Sequence, residues 1–114
     1  MTEPICEVII TGDDEDRLIN FTRSLVGDRL AACGQLLAPI RSIYRWNGSM
    51  EDDREIRAAI HTRASLVPAI VDRANRQLCY EVPCVLALFV QTGNPDYLAW
   101  VIEQTSEPGA DDQA

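Results

Sequence analysis

Residues 40–62 read IRSIYRWNGSMEDDREIRAAIHT. At the centre, Asn47-Gly48 accepts positive φ at both positions of a tight turn and is the strongest short-range hairpin signal in the chain. Before it, Ile40, Ser42, Tyr44 and Trp46 fall on one face of an extended arm. After it, Ile56, Ala58 and Ile60 point one way while Glu55, Arg57, Ala59 and His61 point the other, the period of two expected of a half-buried strand. Two long antiparallel strands joined by a two-residue turn are therefore predicted. The first is extended already from Cys33, with Pro39 interrupting it as an edge or bulge position allows.

Working outward, Ile5 to Thr11 is a short apolar run rich in β-branched residues and reads as a strand buried on both faces. Asp13 to Asp16 supply an N-cap and first-turn carboxylates to a helix whose stripe is Leu18, Phe21, Leu25 and Val26, ending near Leu30 to Ala32. Capping explains that acidic run more simply than a metal site. Ser65 can cap a second helix with Pro68 in its first turn and a stripe of Leu66, Val67, Ile70, Val71, Ala74 and Leu78. Tyr80 to Pro83 breaks it. Val85 to Val90 is a strand apolar on both sides, and Asn94-Pro95 starts a last helix carrying Tyr97, Leu98, Val101 and Ile102.

The order β-α-β-β-α-β plus a terminal helix is the ferredoxin-like α+β arrangement, with both main helices on one face of a four-stranded antiparallel sheet. Residues 1–105 are expected to form one domain and 106–114 a disordered acidic tail. The second face of the sheet is expected to be bare, yet its strands carry apolar side chains there, so a second copy is expected to cover it.

Composition narrows the chemistry. In 114 residues there are 18 acids and 10 bases, a net charge of -8, which repels nucleic-acid backbones and anionic membranes. All ten bases are Arg, so no P-loop or Schiff-base lysine exists. His61 is the sole imidazole, which excludes a two-histidine metal site within one subunit. Cys6, Cys33, Cys79 and Cys84 form no Cys-x-x-Cys spacing. With no secretory leader pattern and no apolar run long enough to span a membrane, a cytoplasmic protein with reduced thiols is expected.

Four segments together resemble the CutA family of divalent-cation tolerance proteins: Arg29-Leu30-Ala31-Ala32-Cys33; Tyr44-Arg45-Trp46-Asn47-Gly48 with Glu51 and Glu55 behind it; Tyr80-Glu81-Val82-Pro83; and Asp96-Tyr97-Leu98-Ala99-Trp100. The resemblance spans about Ile5 to Gln104. It implies a tight homotrimer of ferredoxin-like subunits, similar in architecture to the PII signalling proteins, with clefts between subunits and a non-enzymatic role in tolerance of copper and other divalent cations. The positions that the resemblance associates with copper hold Ile10, Gln77 and Leu78, none a good ligand. Cys79 stands where the family has Pro, Cys84 where it commonly has an acid, and His61 where it usually has Lys.

The candidate ligand residues of an inter-subunit cleft are Cys33, Tyr44, Trp46, His61, Tyr80 and Glu81. A candidate soft-metal set, suited to copper or another divalent cation, is His61, Cys79 and Cys84. Glu51, Asp52 and Asp53 read as a charged hairpin edge that blocks unwanted strand pairing, with a hard-cation site as the lesser alternative. Two other function classes compete. A small Cys/His-dependent enzyme would use the same cleft. An RNA-recognition module shares the strand order, but residues 55–61 lack the paired aromatics and basic flank it needs.

Overall fold

The computed structural model describes residues 3–107. Its elements are β1 (Ile5–Gly12), α1 (Glu15–Gly27), β2 (Cys33–Trp46), β3 (Ser49–Arg63), α2 (Val67–Gln77), β4 (Val85–Phe89) and α3 (Pro95–Gln104), with one 3-10 turn at Ala64–Leu66 before α2. The four strands form one antiparallel sheet in the order β2-β3-β1-β4. This is the ferredoxin-like arrangement expected from the hydrophobic pattern.

Alternation along β1 sorts the two faces. Cys6, Val8 and Ile10 join Ile56, Ala58 and Ile60 of β3 in a core closed by Leu18, Phe21 and Leu25 of α1 and by Ile70, Ala74 and Leu78 at α2. Burying a side chain of this size contributes about 1.5–3 kcal/mol, so this one layer carries most of the fold's apolar stabilisation. Helix α1 begins where Asp14 accepts a bond from the Arg17 backbone N–H at 3.1 Å, with Glu15 and Asp16 in the first turn. The acidic run is thus a cap. The helix stops at Gly27, short of the predicted Leu30 to Ala32, because Arg29 adopts φ 61° and turns the chain back, its neighbour Leu30 donating to the Leu25 carbonyl at 2.9 Å. Ser65 does not cap α2; its backbone N–H and hydroxyl both donate to Glu3 Oε1, which ties the start of the chain to the end of β3.

Asn47 and Gly48 have φ of 49° and 80°, the left-handed pair that a two-residue hairpin turn requires. Pairing of β3 with β1 begins only at Ile56, so residues 40–55 form a two-stranded arm beyond the body. The arm stretches the molecule to 46 Å and its radius of gyration to 14.7 Å, against roughly 13 Å for a compact chain of this length. Around Pro39 the β2–β3 register shifts between Leu37 and Ile40, the bulge anticipated there.

The second face is not wholly bare, as the hydrophobic pattern had implied. Helix α3 lies over one end of it, where Val101 packs with Ile5 and Ala32, and Leu98, Ile102 and Val90 close around them. The sequence pattern leaves the final helix without a layer, because a short amphipathic segment after the last strand can fold back onto either side. Elsewhere the face is open: Leu86, across from Ile9, is 60% exposed and Leu88, across from Glu7, is 53% exposed. Of the predicted tail, residues 108–114 lie outside the described residues.

Candidate functional site

The predicted cleft residues divide between the two ends of the sheet's second face. Along β3, Glu55 at one end and His61 at the other are six residues apart, about 20 Å at strand rise. A single subunit therefore does not assemble them into one pocket.

At the arm end, Tyr44, Trp46, Tyr80, Glu81 and Cys84 line a cleft of about 570 Å³ together with Thr11, Asp13, Ser42 and Glu55. Tyr80 reaches there from the α2–β4 connection. Its hydroxyl donates to Asp13 Oδ1 at 2.9 Å and accepts from the Asp13 backbone N–H at 3.1 Å. This crossing explains Gly12, since a Cβ there would sit 2.7 Å from the Tyr80 hydroxyl oxygen. Burial, and then the bond to the Asp13 carboxylate, push the Tyr80 phenol above its usual range, so it stays neutral. Tyr44 donates to Asp53 Oδ2 at 2.6 Å, and that bond, reinforced by the charges of Glu55 and Glu51, pushes its phenol up to about 12. The walls carry Asp13, Glu55 and Glu81 and no Arg. A cavity of one negative sign with three aromatic side chains suits a cation or a neutral, stackable ligand and disfavours phosphates.

At the other end, Cys33 and His61 face each other across β2 and β3. Cys33 Sγ lies 3.4 Å from His61 Nδ1 and 3.2 Å from the Tyr97 hydroxyl, and that hydroxyl is 2.5 Å from the same Nδ1. The far nitrogen, Nε2, lies 2.8 Å from Glu7 Oε2. Burial, and then its contact with Cys33, push the Tyr97 phenol up to about 12. Tyr97 and Glu7 were not among the predicted site residues. Glu7 is findable from the sequence, because it stands opposite His61 in the β1–β3 register; Tyr97 lies in the apolar stripe of the last helix and in one of the four segments that carry the resemblance, and neither reading places its hydroxyl at His61.

The soft-metal set is not brought together. His61 pairs with Cys33 and Glu7, whereas Cys84 lines the cleft at the opposite end and Cys79, exposed at φ 59°, donates to the Gln77 carbonyl at 3.7 Å. Among the described residues no group of three His, Cys, Asp or Glu side chains is placed to hold a metal ion. Ile10 and Leu78 belong to the core, where neither could ligate one. In the hairpin, Asp52 accepts from both Nε (2.6 Å) and Nη2 (3.1 Å) of Arg41, and these bonds, helped by the Arg41 charge, hold its carboxyl below the usual range. With Asp53 accepting from Tyr44, two of the three acids of that edge are committed to partners within the arm. All four cysteines are free, and among the described residues no helix is long and apolar enough to cross a membrane.

Comparison with known proteins gives a consistent result. The family model described as CutA1 divalent ion tolerance protein matches residues 6–104. Protein CutA of Mus musculus is 41% identical over 101 residues, 89% of this chain and 57% of the mouse protein. This chain thus spans little more than half the length of that relative. The divalent-cation tolerance protein CutA of Thermus thermophilus is 35% identical over 98 residues, 86% of this chain and 95% of the relative. Among solved structures, CutA1 from Oryza sativa superposes with a TM-score of 0.89 at 33% identity, covering 93% of this chain and 97% of that one. The Thermus thermophilus structure gives 0.86 at 33%, covering 90% and 99%.

Proposed function

The chain belongs to the CutA1 divalent ion tolerance family, and from that premise we propose that it works as a non-enzymatic homotrimer that binds a metal ion or small ligand between its subunits. In this reading it acts in the cytoplasm, in tolerance of copper or another divalent cation, and its partners are further copies of itself rather than nucleic acid or membrane. Its architecture would resemble that of the PII signalling proteins.

The observation that carries the proposal is the open part of the second face. Leu86 and Leu88 project from edge strand β4 beside Ile9 and Glu7 of β1, more than half exposed, and the unsupported arm presents Tyr44 and Trp46 near 40% exposure. An edge strand with apolar side chains and a bare backbone is costly in water and a template for pairing. A cyclic, head-to-tail contact would cover these surfaces. It would also bring the arm-end cleft of one subunit toward the Cys33–His61 end of the next, joining halves of a site that one chain holds about 20 Å apart. The acidic lining of the cleft favours a cation there.

Sedimentation velocity and native mass spectrometry of the reduced protein test this together, with and without Cu(I), Cu(II) and Zn(II). The expected result is a trimer at low micromolar concentration, dissociated by Leu88→Asp, with metal or ligand bound by the trimer and not by the variant. A monomer across that range overturns the assembly. A trimer that shows the same metal uptake before and after Glu55→Gln and Glu81→Gln overturns the cleft as the binding site.

A further inference from the structure

The Cys33–His61–Glu7–Tyr97 cluster has an arrangement that neither packing nor the arm-end cleft requires. An ionised Glu7 can only accept, so His61 donates through Nε2–H, and the Nδ1 lone pair is left facing the two remaining donors, the Cys33 thiol and the Tyr97 hydroxyl. One lone pair thus serves an S–H at 3.4 Å and an O–H at 2.5 Å. Tyr97, with its phenol held up to about 12, keeps its proton. When the Cys33 proton passes to Nδ1, Tyr97 and Nδ1–H can both donate to the sulfur while Glu7 faces the charged ring. The charged and titratable groups facing the imidazole are Glu7 from β1, Cys33 from β2 and Tyr97 from α3.

We propose that Cys33 is a built thiol-modification site for low-molecular-weight disulfides, with His61 as the proton acceptor, Glu7 as its positioning residue and Tyr97 as a donor to the attacking sulfur. Cys33 sulfur attacks one sulfur of the disulfide as its proton passes to His61 Nδ1. A new S–S bond forms to Cys33, the old S–S bond breaks, and the leaving sulfur takes the proton from Nδ1 and departs as a thiol. Cys33 is oxidised and the departing half of the disulfide is reduced, so no further oxidant is needed. The product is a stoichiometric mixed disulfide, not a turnover reaction. The other cysteines lack this setting. Cys6 is buried, with its thiol pushed up by desolvation, and Cys79 and Cys84 are exposed without an imidazole beside them. The inference stands on contacts within one subunit and does not depend on the oligomer.

Order of modification is the decisive readout, because exposure and activation predict opposite orders. The reduced full chain is treated with substoichiometric oxidised glutathione, quenched with acid and mapped by peptide mass spectrometry. Cys33, the half-buried thiol, is expected to carry the adduct before the exposed Cys79 and Cys84. His61→Gln should slow Cys33 by about ten-fold or more and leave Cys79 and Cys84 unchanged, those two serving as internal references for an intact fold. Free imidazole should restore part of the Cys33 rate in His61→Ala. Glu7→Gln should alter the pH profile of Cys33 modification and not that of Cys79. If His61 variants do not fold, Tyr97→Phe, which removes only the donor, should still slow Cys33 several-fold. Modification of Cys79 or Cys84 first, protection of Cys33 in the native protein, or a Cys33 rate unchanged in a folded His61→Gln protein overturns the proposal.

Discussion

Arg63→Met tests how α3 is held on the second face, and with it the placement of Tyr97. Helix α3 has no basic residue in its own last turn. Two arginines from elsewhere satisfy its terminal carbonyls: Arg29 Nη2 donates to Glu103 O at 2.8 Å, and Arg63 Nη2 donates to Ile102 O at 2.8 Å and Thr105 O at 2.9 Å. Arg63 Nε also donates to Thr105 Oγ1 at 2.9 Å, and its Nη1 lies 3.3 Å from both Glu3 and Glu107. The residue is only 7% exposed. Met keeps the stem's packing and deletes every donor. Three bonds from a charged donor at ~1.5 kcal/mol each come to about 4–5 kcal/mol. The long Glu3 contact and the solvated Glu107 pair, each at 3.3 Å, add little, and partial water entry trims the sum, so the expected loss is about 3–5 kcal/mol. With a urea slope of ~1.5 kcal/mol/M the midpoint falls by about 2–3 M. Far-ultraviolet circular dichroism at several protein concentrations separates unfolding from dissociation, and Arg63→Lys should fall between wild type and Met. A loss below ~1 kcal/mol would refute the view that this guanidinium anchors the helix.

Gly34→Ala should destabilise by about 1–3 kcal/mol. Its Cβ would lie 2.3 Å from Thr22 Cγ2 and 2.9 Å from Ile60 Cδ1, neither free to move, and a neutral outcome in thermal unfolding would contradict that packing. Tyrosine absorbance titration should show no native phenol ionising at or below the ordinary value of 10.0, since all three are raised, Tyr44 and Tyr97 to about 12. A raised phenol stabilises the fold in its neutral form, so that contribution is intact below pH 10 and drains away as pH climbs from 10 toward 12. Asp53→Asn should bring one phenol down, and a native phenol titrating normally would count against these contacts.

Most of the fold was legible because its signals are local. Asn47-Gly48 fixed the turn, and in-out alternation from Glu55 to His61 fixed which face of β3 is buried. Asp14 and Asn94 announced their helices by side-chain caps that the structure confirms as bonds to Arg17 N and Asp96 N. Errors arose where a distant partner decides the outcome. Ser65 looks like a cap in isolation, but its hydroxyl is taken by Glu3, 62 residues earlier. Arg29 in the left-handed region ends α1 early, and no residue type announces that; the turn is held from outside, by Thr62 Oγ1 donating to Leu30 O at 2.6 Å and by Arg29 O accepting from Ser106 N at 2.8 Å.

The structure sets the candidate site residues in different company from the one their order along the chain suggests. His61 stands out as the sole imidazole, and Cys79 and Cys84 as soft thiolates where the resembled family has Pro and an acid. Topology separates them. In an antiparallel sheet the C-terminal end of β3 lies beside the N-terminal ends of β1 and β2, which puts Glu7 and Cys33 next to His61. The chain then runs back along α2 to the other end before β4 starts, and Val85 pairs with Ile10 there. Cys79 and Cys84 flank that return, and Cys84 lines the cleft with Gly12 and Asp13. Register alone thus joins His61 to Cys33 rather than to the later cysteines. What register could not supply is the Tyr97 hydroxyl, which arrives from a helix outside the sheet, seated by Val101 against Ile5 and Ala32 and held at its carbonyl end by Arg29 and Arg63.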